Sequence, residues 1–322
     1  MSGLEAIVAA LEEAAVVGVA SHVNPDGDSV GALLALAMTL RDLGKRVCAS
    51  LPEPRKYPPQ YLFLPGRELL CAPEDLGAEA DVFVALDCSN PERLGALWDW
   101  ARRSRVTLNI DHHEDNMLYA AVNLVDDRAS STSELVFRVI RAAAWPLGPE
   151  VATCLYTGVV TDTGRFQHRN TSPETFALAA ELAGAGADIF AVAEAVYEDR
   201  SLPYTRLLGR TLERIEFVEE FGLAYSYITQ EDLAETGAAL PETEDLIDHL
   251  RAVRGTRLVA LFKELAEGGV RVSLRSRAAF EVGPIARAMG GGGHAMAAGY
   301  TSERDIEGSI AGLLEALRDR RG

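Results

Sequence analysis

The chain has 322 residues, 48% of them hydrophobic and 25% charged, which is the composition of a globular protein and a length that favours two domains. A net charge of −17 argues against a protein that tracks long nucleic acid through a basic groove, so any phosphates must be met by cations or by a few local arginines. No apolar run reaches the roughly 18 residues of a membrane span, and MSGLEAIVAALEEA carries glutamates where a secretory signal needs basic residues, so a cytoplasmic protein with no membrane partner is the default expectation.

In chain order, residues 14–21 (AAVVGVAS), 46–51, 81–87 (DVFVALD) and 105–110 read as strands. Helices are expected over 29–43, closing at Gly44, and over 91–103. Continuous apolar runs separated by helical patterns imply a parallel sheet covered on both faces. STSE at 131–134 predicts a capping box for a helix to about Ala144, and helices follow over 149–160 and 173–182. Around 184–206 the pattern is helical and charged with no sheet element, which places the domain connection there. Beyond it, 223–228, 257–263 and 270–275 read as strands and 242–253 and 305–318 as helices. The expected fold is therefore α/β: a doubly wound, mainly parallel domain over 1–187, a helical linker over 188–207, and a smaller mixed α/β domain over 208–322. No internal repeat is present, and GGGG at 290–293 is the one low-complexity tract. The four cysteines, Cys48, Cys71, Cys88 and Cys154, show no CxxC spacing and are expected as reduced, mostly structural thiols.

The first strand runs into SHVNPDGDSVG, which places His22, Asp26 and Asp28 on the loop at its carboxyl end, with Pro25 and Gly27 forcing the turn. The third strand ends in Asp87, and the fourth in NIDHH, with Asp111, His112 and His113. Carboxyl ends of strands are where open α/β sheets bind ligands. Taken singly, Asp28 reads as a helix N-cap, Asp87 as a turn former and each histidine as a solvated imidazole. Taken together, their oxygen and imidazole donors suit manganese, magnesium or zinc, and converging carboxylates need cations or protons between them. So many donors suggest two ions, about 3.5–4 Å apart as in two-metal hydrolases. Asp162, between two threonines in TGVVTDTG, reads equally as ligand or turn, and His168 as solvated. A second cluster joins Arg275 to Gly291, Gly292, Gly293 and His294, where glycine N–H groups are expected to converge as an anion nest. The bland alternative is a flexible loop before a small-residue helix over 295–299.

His22-x-Asn24-Pro25-Asp26-Gly27-Asp28, Asp87-Cys88-Ser89, Asp111-His112-His113 and Thr161-Asp162-Thr163-Gly164 resemble the four motifs of the DHH phosphoesterase superfamily. Ser273-Leu274-Arg275-Ser276 and Gly290-Gly291-Gly292-Gly293-His294 resemble its DHH-associated C-terminal domain. The similarity runs in order along essentially the whole chain and is greatest to the small NrnA-type nanoRNase/pAp phosphatase branch. It implies two Mn2+ ions per chain, with Mg or Co as substitutes. One ion would be held by His22, Asp26 and Asp87, the other by Asp28, Asp87, His112 and Asp162. Asp111 would orient the ligating imidazole, and His113 would face the scissile phosphate. Arg275, Gly291, Gly292, Gly293 and His294 would grip the far part of the nucleotide across an interdomain cleft that measures substrate length. The implied activity is hydrolysis of short RNA oligonucleotides to mononucleotides and of pAp to AMP. Long duplex nucleic acid is not an expected partner, and a homodimer is compatible with the family. Rivals on the same metal site are a family II-type pyrophosphatase, a RecJ-like exonuclease, which would be expected to carry extra domains, and a cyclic or linear dinucleotide phosphodiesterase. A rival of another class, a nucleotide-binding regulator without catalysis, would be expected to lack a metal carboxylate.

Overall fold

Apolar runs with β-branched residues, each ending in a polar residue, build the first sheet. The computed structural model describes residues 3–53, 57–72, 80–277, 280–293 and 296–320, in two units, Met1–Asp199 and Arg200–Gly322. The first unit runs α1 (Gly3–Glu13), β1 (Val16–Ala20), α2 (Gly27–Asp42), β2 (Arg46–Ser50), β3 (Val82–Leu86), α3 (Leu97–Ala101), β4 (Val106–Asp111), β5 (Val122–Val125), α4 (Thr132–Ala142), α5 (Pro149–Asp162), α6 (Pro173–Gly184) and α7 (Ile189–Ala193). All five strands are parallel, in the order β2-β1-β3-β4-β5. That order reverses direction between β1 and β3, and a doubly wound sheet opens its ligand crevice at such a point.

The expected strands are present to within a residue or two. The helix expected over 91–103 is broken into a 3-10 turn (Pro91–Leu94) and α3, because Gly95 between them takes a φ of +53°. α1 and β5 add to the expected elements. β5 is only four residues long and half-buried throughout, so it carries no alternation to read. From Gly27 to Leu40, α2 is buried all round, the pattern of a helix enclosed by protein rather than lying on a surface. It packs along α5, and Gly31 permits the approach because a Cβ there would run into the Cys154 carbonyl oxygen.

One expectation about the cysteines is corrected. Cys48 and Cys71 are joined by a disulfide, while Cys88 and Cys154 are free and buried. A bridge between Ala49 and Leu70 brings the later segment alongside β2, a long-range pairing that no cysteine spacing announces.

The segment 188–207 divides between the units. A single turn of π-helix (Glu194–Glu198) follows α7 in the first, and the second begins with α8 (Leu202–Glu213). Then come β6 (Glu216–Val218), β7 (Leu223–Ile228), α9 (Gln230–Thr236), α10 (Leu246–Leu250), β8 (Leu258–Glu264), β9 (Val270–Ser276), α11 (Gly283–Ala288), β10 (Gly292–Gly293), β11 (Ala297–Ser302) and α12 (Ile306–Asp319). Its six-stranded sheet has the order β10-β11-β9-β8-β7-β6 and is parallel only between β7 and β8. β11 stands where the alternative reading put a small-residue helix. Ala298 and Tyr300 turn inward with a period of two, the period of a strand. Among the described residues no helix is long and apolar enough to cross a membrane.

Candidate metal centre

The donors gather at the carboxyl ends of β1, β3 and β4, three neighbouring strands. Just past β1, His22 is 2% exposed, and its Nδ1 lies 2.7 Å from the Val23 carbonyl oxygen. A carbonyl can only accept, so the proton sits on Nδ1 and Nε2 is left to face Asp87 Oδ2 at 3.2 Å and Asp26 Oδ2 at 3.9 Å. This is the second bond that metal-binding imidazoles usually make. Asp26, rather than Asp28, is the N-cap of α2: its Oδ1 accepts from Ser29 N (2.9 Å), and its own N–H donates to Ser29 Oγ (2.8 Å). The Val23 N–H donates to the Arg93 carbonyl (2.9 Å), tying this loop to the one after β3.

That second loop opens with Asp87, buried and held at a φ of +60°, where only glycine, asparagine and aspartate are at all common. Its two oxygens face different groups. Oδ2 faces His22, whereas Oδ1 accepts from Thr132 Oγ1 (3.0 Å) and lies 3.7 Å from His112 Nε2. His112 Nε2 is also 4.0 Å from Asp28 Oδ2 and 3.7 Å from Asp162 Oδ2. Two sets of donors, one within 4.0 Å of His22 Nε2 and the other within 4.0 Å of His112 Nε2, therefore share the Asp87 carboxylate. One is His22, Asp26 and Asp87; the other is Asp28, Asp87, His112 and Asp162. Donor atoms about 2.0–2.2 Å from a common ion would stand roughly 3–4 Å apart, and carboxylate oxygen with imidazole nitrogen suits a divalent cation. The residues fit a metal.

His113 also approaches Asp87, and Asp87, His112 and His113 offer donor atoms within 4.8 Å of one another. The His113 atom involved is Nδ1, 3.5 Å from Asp87 Oδ1, and it is already engaged with Asp111 Oδ1 at 2.7 Å. It is therefore a poorer donor to a metal than His112. The same bond corrects the expected role of Asp111. Its carboxylate orients the His113 ring and reaches His112 only through the main chain, accepting from His112 N (2.9 Å). Alternation along an extended strand end puts the side chains of 111 and 113 on one side. Asn116 Nδ2 fixes the other Asp111 oxygen at 2.6 Å.

The electrostatics follow from burial and crowding. Burial, then the charges of Asp87 and Asp162, push the Asp28 carboxyl well above the usual range. Burial also raises Asp162; the histidine charges pull it back only in part, and it stands at about 7. Burial would raise Asp87 too, but the His22 hydrogen bond and the charges of the three histidines hold it well below the usual carboxylate range. For His113, burial favours the neutral ring, and the Asp111 bond with the Asp87 charge overrides this to lift it to about 9. Burial likewise pulls His22 down, and Asp87 outweighs it, leaving His22 raised.

Sequence reasoning missed the backbone that holds these carboxylates. Asp28 accepts from the N–H groups of Thr132 (2.6 Å) and Ser133 (2.8 Å) at the start of α4. Gly158 of α5 leaves room for this, since a Cβ there would collide with Ser133 Oγ and lie 2.6 Å from Asp28 Oδ1. Asn170 Nδ2 donates to Asp162 Oδ2 at 3.2 Å. The only sequence signal was the polar run at 130–134, which as a surface cap would be solvated, yet all five residues are buried.

In the second unit, register places Arg275 of β9 opposite Ala297, at the end of β11 where β10 pairs Gly293 with Ala298. Two of the four glycine N–H groups expected to converge in a nest are engaged within the chain. Gly290 N and Gly291 N bond back to the Arg287 and Ala286 carbonyls of α11, and Gly292 and Gly293 form an edge strand. Close backbone approach accounts for Gly291 and Gly293, where a Cβ would collide with the Gly299 carbonyl oxygen in the first and lie 2.5 Å from Ala298 Cα in the second. His294 lies outside the described residues.

The fold and the donor groups define an α/β protein with a candidate metal centre at the carboxyl edge of a parallel sheet. Residues 16–159 match the DHH family, N-terminal domain, and residues 222–320 match the DHHA1 domain. A Thermus thermophilus protein named bifunctional oligoribonuclease and PAP phosphatase NrnA is 33% identical over 303 residues, spanning 94% of this chain and 89% of its own. The chain belongs to the DHH family. Among solved structures, an exopolyphosphatase-related protein from Bacteroides fragilis superposes with a TM-score of 0.91 at 26% identity, over 98% of this chain and 96% of its own. RecJ from Thermus thermophilus in complex with Mn2+ shares the fold, with a TM-score of 0.57 at 15% identity over 99% of this chain and 55% of that one.

Proposed function

We propose that this chain is a manganese-dependent phosphoesterase that hydrolyses short RNA oligonucleotides to mononucleotides and dephosphorylates pAp to AMP. The observation that carries the two-ion reading is the division of Asp87, one oxygen toward His22 and the other toward His112. His22, Asp26 and Asp87 would hold one Mn2+, and Asp28, Asp87, His112 and Asp162 the other. Bound there, the ions would lower the pKa of an attacking water and offset charge on the phosphoryl oxygens. The substrate class rests on the family and on the name of the Thermus thermophilus relative.

The chain's own residues supply the rest. In the metal-free chain the Asp111 bond and the Asp87 charge lift His113 to about 9, and among the described residues its Nε2 has no hydrogen-bond partner. Anchored through Nδ1 to Asp111, it presents Nε2–H to a phosphoryl oxygen, where a charge-assisted bond strengthens as negative charge develops. Arg275 would contact the nucleotide, a role that rests on the family resemblance. The acidic surface agrees with short substrates, because few phosphates are contacted and no basic track is needed.

The test is hydrolysis with added Mn2+ of pAp, an RNA dinucleotide, an RNA 24-mer, cyclic di-AMP and pyrophosphate. Turnover of pAp and the dinucleotide, with little on the 24-mer, is the expected result. Preference for the 24-mer, cyclic di-AMP or pyrophosphate would overturn the substrate assignment and keep the metal chemistry.

A further inference from the structure

Thr132 is the first residue of α4, yet its hydroxyl does no capping. Ser131 already caps the helix, accepting from Glu134 N at 3.1 Å, and the Glu134 carboxylate accepts from Ser130 N at 2.8 Å instead of completing the expected box with Ser131. The Thr132 hydroxyl, fully buried, donates to Asp87 Oδ1 (3.0 Å), and its N–H donates to Asp28 Oδ2 (2.6 Å). One residue thus binds two of the carboxylates assigned to the second ion.

We propose that Thr132 is a positioning residue of that metal site, an inference that rests on the two-ion reading above. Asp87 Oδ1 is shared by Thr132, His112 and His113, all within 3.7 Å. The threonine hydroxyl occupies one of its lone-pair directions and leaves the other toward His112, where an ion would sit. Without it, the carboxylate is free to rotate toward the His113 ring and give up its divided geometry. The N–H bonds to Asp28 come from the positive end of an 11-residue helix and offset part of the repulsion among Asp28, Asp87 and Asp162. A bland role, filling a buried corner beside α5, predicts a loss of stability alone. A positioning role predicts weaker metal binding from a folded protein.

The experiment compares the full-length wild type with Thr132→Val, which keeps the shape and removes the hydroxyl, and Thr132→Ser, which keeps the hydroxyl. Mn2+ affinity is read by calorimetric titration, folding by melting in EDTA, and kcat and KM with pAp. T132V is expected to bind Mn2+ about 10- to 100-fold more weakly, as for other partners that orient metal ligands, with kcat reduced at fixed Mn2+ and KM for pAp little changed. T132S is expected to recover most of the affinity. Wild-type Mn2+ affinity in T132V would overturn the proposal, and so would an equal loss in T132S. Should T132V fail to fold, Thr132→Ala removes the same hydroxyl without introducing a branched apolar group, and the same outcomes decide. A wild type that binds Mn2+ but does not hydrolyse pAp refutes the activity and leaves the affinity comparison standing. A wild type that binds no Mn2+ refutes both.

Discussion

Replacing Asp162 by asparagine separates what that carboxylate costs the metal-free fold from what it contributes to metal binding. Its carboxyl stands at about 7 in the folded chain against an ordinary 3.8. For an acid raised on folding, the folded state is relatively favoured below the ordinary value. That advantage is lost as pH rises, because the unfolded chain gives up its proton first. A shift from 3.8 to about 7 corresponds to about 4 kcal/mol once both states are ionised. The side chain is 30% exposed, and solvent screening brings this to roughly 2 kcal/mol. Asparagine keeps the shape and an oxygen for Asn170, and removes the charge. In EDTA at pH 8, D162N is therefore expected to be more stable than wild type by about 2 kcal/mol, with the gap closing as pH falls toward 4. With Mn2+ present the gap should shrink: wild type gains about 2.7 kcal/mol at a hundred times its Kd, and the variant gains less. Urea unfolding followed by circular dichroism, with EDTA or Mn2+ across that pH range, measures both. D162N less stable than wild type in EDTA at pH 8, or equally stabilised by Mn2+, would refute the reasoning.

Asp87→Ala removes the carboxylate that faces both donor groups, and is expected to abolish turnover and lower the number of Mn2+ ions bound in a calorimetric titration. An active variant sinks the two-ion reading. Gly158→Ala would gain up to about 1 kcal/mol of helix propensity in an open helix, but here its Cβ meets Ser133 Oγ and Asp28 Oδ1. A net loss of about 1–3 kcal/mol is expected, with weakened Mn2+ binding; a more stable variant with intact binding would contradict the packing. Arg275→Ala is expected chiefly to raise KM for pAp, about 10-fold or more for a lost charge-assisted bond. A fall in kcat with KM unchanged would instead give the arginine a role in the transition state.

The candidate metal centre was legible where strand physics exposes polar residues. A strand buried on both faces is an apolar run, so Asp87 after Leu86 and the DHH triplet after Ile110 stand out against it. What stayed hidden depends on partners far away in sequence. Asp28 and Thr132 are 104 residues apart, and nothing near either one announces the bond. That Asp111 orients the ring of His113 and not of His112 follows from the period-2 alternation of an extended strand end, a signal the sequence offered and the motif resemblance overrode. Spacing could not separate the capping aspartate from its neighbour two residues on: Asp26 caps α2, and Asp28 turns into the α4 terminus. In the second unit, the glycine run invited an anion nest because glycine permits many backbone shapes. Contacts with α11 and β11, which are tertiary, selected among them.

The charges bear on how so acidic a chain could hold a divalent cation at this candidate site. Asp28 is pushed up by burial and then by Asp87 and Asp162, and Asp162 by burial and by Asp87 and Asp26, so in the metal-free fold they tend to hold protons. Asp87 sits among three histidines and stays ionised in the same surroundings. Neighbouring carboxyls are thus driven apart in acidity by what they face, the pattern expected where a site must hold charge without a fixed counter-ion. A divalent cation arriving at Asp28 or Asp162 displaces protons instead of meeting full negative charge, and its hold should tighten as pH rises through about 7, where Asp162 titrates. Under the proposed function, the cation would supply locally the positive charge that a net −17 denies to the chain, and short phosphoesters could approach it without a basic path across the protein.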